Sequence, residues 1–229
     1  MTQLLPLALI AGAGPGLGQT LIRRFETGGY HVVGFSRTQP KSNPSNLDIR
    51  AVDLTDPQQT ETAIQALINE CGVPKIVIHN TAHLVIKSLD KTTTSDFEDC
   101  WRAMALSAFN LAQSVMEPMA GNGGGTFIVS GATASLRGGA KFSAFTSAKF
   151  ALRGLTQSLA REYQSAGIHV AHVILDGIID TAHSRGLHNM KPARMMKPDD
   201  IADVYWHLSH QPKSTWTQEL DLRPQSESF

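Results

Sequence analysis

The stretch LPLALIAGAGPGLGQT, residues 5–20, decides the fold. An apolar run passes without a polar break into Ala11-Gly12-Ala13-Gly14-Pro15-Gly16-Leu17-Gly18, and this turn leads directly into a segment of helical period from Leu17 to Gly28. A glycine turn between strand and helix lets main-chain N–H groups come close to a pyrophosphate, which the positive end of the helix dipole also attracts. The common GxGxxG spacing is out of register, because its sixth position falls on Leu17; the spacing present is Gly12-xxx-Gly16-x-Gly18. Gly12, Gly14, Pro15, Gly16, Leu17 and Gly18 are therefore candidate contacts of a dinucleotide. A tight connection with no ligand would use the same residues, and the strand before and helix after favour the binding reading.

Beyond this unit, short apolar runs continue to alternate with longer helical segments. HVVGFSR (31–37) and DIRAVDL (48–54) read as the second and third strands, separated by a polar loop from Thr38 to Asn46. Asp56-Pro57 supplies an N-cap and a first-position proline for a helix running to about Cys71. KIVIHN (75–80) is the fourth strand, followed by a long helix from about Ser95 to Met119 and a fifth strand, TFIVSG (126–131). Phe142 to Ala166 is helical by period and stopped by Gly167, and IHVAHVILDG (168–177) is the sixth strand. Ile179 to Lys197 has no clear period; Lys197-Pro198-Asp199-Asp200 opens a further helix, and QELDL (218–222) reads as a seventh, edge strand. The pattern predicts an α/β fold, a doubly wound Rossmann-type parallel sheet of about seven strands, as a single domain over residues 1–229.

Of the 229 residues, 41% are hydrophobic and 17% charged, which excludes disorder, collagen and small disulfide-held scaffolds. Twenty basic side chains balance twenty acidic ones, so no electrostatic footprint for nucleic acid exists and none is expected as a partner. Cys71 and Cys100 form no CxxC pair, which suits free thiols in a reducing compartment. The apolar start from Leu4 to Ala11 has no Lys or Arg before it, unlike a secretory signal. No later segment reaches the ~18 uninterrupted apolar residues of a membrane span, so the expected location is cytoplasmic, away from membranes. His79 with His83, and His207 with His210, have spacings found in metal sites, but no Cys or carboxylate cluster accompanies them and no metal is expected.

The glycine motif, placed after the first strand, resembles the TGxxxGxG of the short-chain dehydrogenase/reductase family, and the resemblance extends over nearly the whole chain. Asp53-Leu54 is similar to that family's Asp-Val/Leu pair, where the Asp contacts adenine. His79-Asn80-Thr81-Ala82 is similar to its Asn-Asn-Ala-Gly segment, through Asn80. Asp176-Gly177-Ile178-Ile179-Asp180-Thr181 resembles the Pro-Gly-xxx-Thr segment beside the nicotinamide. The resemblance implies strand order 3-2-1-4-5-6-7, a small-molecule substrate, and a homodimer or homotetramer built on the two long helices around the fifth strand. Asn80, Thr81, Gly177, Ile179 and Thr181 then join Asp53 and Leu54 as cofactor contacts. The second strand ends in Phe35-Ser36-Arg37-Thr38, with no carboxylate for a ribose 2′-OH. A hydroxyl at Ser36 and a guanidinium at Arg37 suit a 2′-phosphate, favouring NADP over NAD.

The family works through a Tyr-xxx-Lys pair on the helix after the fifth strand, where the ammonium depresses the phenol pKa. The matching segment is Phe145-Thr146-Ser147-Ala148-Lys149: the lysine is present and the phenol is not. The family's serine, thirteen residues before the tyrosine, falls on Ala132, and its asparagine falls on Met104. Some enoyl reductases place the tyrosine seven residues before the lysine, which here is Phe142. Tyr30, Tyr163 and Tyr205 are not positioned to serve. A positioned general acid contributes ~10²–10⁴-fold and one oxyanion donor roughly 3 kcal/mol, so their loss weakens carbonyl reduction without abolishing it. Lys149 remains the expected ribose contact and catalytic residue. Thr133 and Ser130 are candidate hydrogen-bond donors, and Asp176 and His183 candidate proton sources, each with a purely structural alternative. Met190, Met195 and Met196 belong to a segment that is either an adaptable lid or packing for the last helix. The function expected is hydride transfer between NADP(H) and a small carbonyl, alcohol or enone; the alternative is a catalytically impaired NADP(H)-binding protein, a redox sensor or assembly partner.

Overall fold

The computed structural model describes residues 5–38 and 47–226. The polar loop expected from Thr38 to Asn46 lies outside them from residue 39 onward. Seven strands, β1 (Leu7–Ala11), β2 (His31–Ser36), β3 (Asp48–Ala51), β4 (Ile76–His79), β5 (Gly125–Ser130), β6 (Ile168–Leu175) and β7 (Glu219–Leu222), form one sheet. All neighbours pair in parallel, in the order β3-β2-β1-β4-β5-β6-β7. Strand order therefore reverses beside β1, and the carboxyl ends of β1 and β4 flank the crevice that such a reversal opens.

Helices cover both faces, which is why the central strands are apolar on both sides. Leu7, Leu9 and Ala11 pack toward α2 (Pro57–Cys71), α4 (Ser107–Gly121) and α5 (Ser143–Tyr163), while Ala8 and Ile10 pack toward α1 (Leu17–Thr27) and α7 (Pro198–Ser209). The two helix starts nearest the crevice differ in capping. Asp56 caps α2, its carboxylate accepting from the Gln59 amide at 3.0 Å with Pro57 beginning the first turn. At α1 the N-cap is Gly16, no side chain caps it, and no acidic residue sits in its first turn. The first amides of a helix have no carbonyl partner within it, and here no side chain takes them, although the Gln19 amide donates to the Gly14 carbonyl at 3.1 Å.

Two segments depart from the sequence expectation. The single helix predicted from Ser95 to Met119 is α3 (Thr94–Trp101) and α4, joined by a wider π-helical turn at Arg102–Leu106. There the Ala103 carbonyl accepts the hydroxyls of both Ser107 and Thr81, an intrusion into the ladder of the kind that widens a turn. The segment without period, Ile179 to Lys197, contains α6 (Ala182–Leu187) and a single 3₁₀ turn at Pro192–Arg194. Its two ends are tied to each other by an isolated parallel bridge between Ile179 and Met196. Met195 and Met196 are buried as packing, whereas Met190 faces the crevice, so the two readings of the methionines divide between them.

Candidate active site

A cleft of about 1020 Å³ opens along the carboxyl ends of the strands. Its middle is formed by Gly12, Gly14, Pro15, Leu17 and Gly18 of the first turn, with Asn80 and Thr81 after β4. The turn is folded under β2: the amides of Gly12 and Ala13 both donate to the Phe35 carbonyl, at 2.8 and 3.0 Å. Gly12 has φ +94°, and a Cβ there would lie 2.6 Å from the carbonyl carbon of Asn80. Gly14 differs, since a Cβ there would meet nothing within 4 Å. One glycine is thus required by close backbone approach, and another leaves open the space over the uncapped start of α1. Gly16 does not line the cleft; its α-carbon faces the Thr181 methyl instead.

At one end the walls are Ser36, which ends β2, Arg37 next to it, and Asp53 and Leu54 after β3. Among the described residues no carboxylate pairs with Arg37. Asp53 is partly committed, since one carboxylate oxygen accepts both the amide and the hydroxyl of Thr55 at 2.9 Å. The Leu54 carbonyl takes the Asn110 amide, which fixes this loop to α4.

At the other end lie Ala132 and Thr133 after β5, Phe145 and Lys149 on α5, and Gly177, Ile179, Thr181 and His183 after β6. Lys149 is buried, and its ammonium donates to the Ser130 carbonyl at 2.8 Å and sits 5.7 Å from the centre of the Phe145 ring. Burial lowers its pKa from 10.5 to about 8. Two neighbouring imidazoles stay neutral: burial, reinforced by the Lys149 ammonium, lowers His79 and His172 to about 3. His79 Nε2 is bonded to Ser107 at 2.8 Å, and no group of three metal-ligating side chains occurs among the described residues.

Two candidate proton donors are placed differently from expectation. Asp176 is buried outside the cleft lining, where Arg223 lies 3.1 Å from its carboxylate and Arg137 3.6 Å. The Thr133 hydroxyl donates to the same carboxylate at 2.5 Å, so its one proton points away from the cleft and it presents lone pairs there. Ser130 also lines the cleft, and its hydroxyl is bonded to Asn80 and to the Tyr205 phenol, both at 2.9 Å. The Asn80 amide in turn donates to the Gly12 carbonyl at 3.2 Å, completing a chain from α7 to the glycine turn. Burial raises the Tyr205 phenol pKa, and its site beneath the sheet excludes it as a donor to the cleft. Sequence reasoning did not single out Arg137, which lines the cleft, or the Arg223 partner of Asp176. Neither carries a local signal, because each acts across a loop or a long separation in the chain.

Residues 6–192 match the family model for short chain dehydrogenases. The chain belongs to the short-chain dehydrogenase family. It is 26% identical over 196 residues to 3-oxoacyl-[acyl-carrier-protein] reductase of Escherichia coli, covering 83% of this chain and 80% of that one. A crystal structure of a short-chain dehydrogenase from Rhodopseudomonas palustris superposes with TM-score 0.81 at 31% identity, over 97% of this chain and 99% of the other. The structure of the protein ElxO with NADP bound superposes with TM-score 0.87 at 21% identity, over 96% and 97% of the two chains. A tyrosine-to-phenylalanine variant of ElxO is also known with NADPH bound. In this short-chain dehydrogenase the helix position one turn before Lys149 is Phe145, whose ring packs edge-on against Phe142 at 6.5 Å and lines the cleft.

Proposed function

We propose that the protein binds NADP(H) along this cleft and transfers a hydride between the nicotinamide and a small carbonyl, alcohol or enone. The observation that carries the reading is the uncapped N-terminus of α1 beside Gly14, opening on a cleft that also contains Arg37 at one end and Lys149 at the other. The α1 amides and the Gly14 gap suit a pyrophosphate, and Ser36 with Arg37 suits a 2′-phosphate. NADP-bound relatives of the same fold are consistent with that choice. Bound NADPH supplies the hydride. Lys149 holds the nicotinamide ribose, and with the phenol absent its ammonium is the cationic donor nearest the reacting carbonyl. Asp176 fixes Thr133, whose free lone pairs would accept the hydroxyl of an alcohol substrate or product.

Titration with NADPH and NADH, followed by absorbance of the reduced nicotinamide against aldehydes, ketones, quinones and enones, tests this directly. Tight NADPH binding with oxidation by at least one acceptor is expected. Tight binding with no oxidation by any acceptor would favour a sensor, and no binding of either coenzyme would overturn the reading. Arg37→Gln should weaken NADPH binding about tenfold, as expected for one charge-assisted contact, and leave NADH binding unchanged. Equal losses for both coenzymes would remove the 2′-phosphate assignment.

Exposed Trp101 on α3, Phe109 on α4 and Phe150 on α5 support self-association into a homodimer or homotetramer through these helices. Phe150→Glu should therefore lower the mass measured by light scattering to that of a monomer. An unchanged mass would exclude this surface.

A further inference from the structure

The charges around the cleft are unevenly divided. Among the described residues lining it, the charged side chains are Arg37, Asp53, Arg137 and Lys149. Asp53 belongs to the end shared with Arg37, so the end formed by β5, α5 and the segment after β6 carries two cations and no lining carboxylate. His183 and His188 line it as well and add no negative charge.

Lys149 is occupied with the Ser130 carbonyl, but Arg137 is not comparably used. Its side chain is 53% exposed, and among the described residues its one ion pair, to Asp176, spans 3.6 Å, beyond hydrogen-bond distance. Asp176 already has Arg223 at 3.1 Å and the Thr133 hydroxyl. Arg137 is therefore steered over the cleft by a buried negative charge while its planar donor edges stay unspent. A guanidinium fork of this kind matches a carboxylate, which it can hold by two parallel bonds.

The neighbouring wall is apolar. Phe142 and Phe145 form an edge-on aromatic pair there, and Leu84 and Ile86 line the same cleft although each is about 40% exposed. We propose that Arg137 selects the substrate, and that the substrate is an oxo acid, or the corresponding hydroxy acid, whose apolar body lies on Phe142 and Phe145 and whose carboxylate pairs with Arg137. This deepens the oxidoreductase reading and rests on it for the redox step, whereas the carboxylate subsite itself does not require bound coenzyme.

The test compares benzoylformate and levulinate with their methyl esters by calorimetry, on the coenzyme-free protein and on the protein saturated with NADPH. At least one acid should bind about tenfold or more tightly than its ester. Arg137→Gln should abolish that preference while changing NADPH affinity less than about twofold, and Arg137→Lys should keep part of it. Equal binding of acid and ester, a preference that survives in R137Q, or no binding of either acid would overturn the proposal. Failure of NADPH to bind would count against the oxidoreductase reading alone, because the acid-against-ester comparison on the coenzyme-free protein still reads the subsite.

Discussion

Phe145→Tyr combined with Ala132→Ser should raise kcat/KM for NADPH-dependent carbonyl reduction by ~10²–10⁴-fold, the contribution of a positioned general acid, with a further gain from the serine. Both positions line the cleft, on the same side as Lys149. The Phe145 ring centre is 5.7 Å from the Lys149 ammonium, so a hydroxyl on the ring introduces an acid within the field of a fixed positive charge. Phe145→Tyr alone should recover most of the gain and Ala132→Ser alone little, since the serine adds only a hydrogen bond to the alkoxide and leaves its protonation to Lys149. The gain should fade above pH about 8, where Lys149 loses its proton and its influence on the phenol. Rates are read from loss of reduced-nicotinamide absorbance, with NADPH affinity measured in parallel. An unchanged rate with intact NADPH binding would mean that the cleft holds its substrate in a pose the phenol cannot reach.

The residues behind that prediction differ in how far they could be read from the chain. The order of elements was legible because each strand is a short apolar run closed by a turn signal, and the glycine turn identified which of them carries the crevice. Phe145, Ala132 and Lys149 were legible because they lie at fixed spacings along one strand end and one helix. The direction of a hydroxyl was not. Ser130 ends β5, Thr133 opens the 3₁₀ turn just after it, and both suit hydrogen bonding, yet Thr133 gives its proton to Asp176 while Ser130 bonds to Asn80 and Tyr205. The chain leaves the strand after Ser130 and turns at Thr133–Ser135, and the partner each hydroxyl meets, Asp176 or Tyr205, lies 43 or 75 residues further along.

The same limit applies to Asp176. From the sequence it stands where the family has a turn proline, which leaves open whether it works in the cleft or in the framework. The answer depends on Arg223 and Arg137, whose positions follow from tertiary packing at the end of β7 and in the loop after β5. The π turn at Arg102–Leu106 is invisible for a related reason: helical period survives on either side of it, and its cause, the hydroxyls on the Ala103 carbonyl, is again a contact between elements.

Lys149→Met should stabilise the protein and weaken its hold on coenzyme at once. The folded-state pKa of Lys149, about 8, lies below the ordinary 10.5. Between those values the unfolded chain keeps a proton that the folded protein releases, so this group makes stability rise with pH from about 8 to 10.5. Its burial cost is fully present below about 8; at ~1.4 kcal/mol per pH unit it amounts to about 3 kcal/mol. Methionine has similar length and no charge to desolvate, but it leaves the Ser130 carbonyl without its donor, a loss of about 1–2 kcal/mol. The variant should therefore be about 1–2 kcal/mol more stable in denaturant titrations at pH 7, and the advantage should shrink above pH about 8 and reverse before pH 10.5. NADPH affinity should fall ~10–100-fold over the same substitution, the worth of charge-assisted bonds to the ribose. Opposite signs for stability and binding identify a cation kept in the interior for its ligand. A variant that lost stability while keeping its affinity would instead make Lys149 a strut for β5.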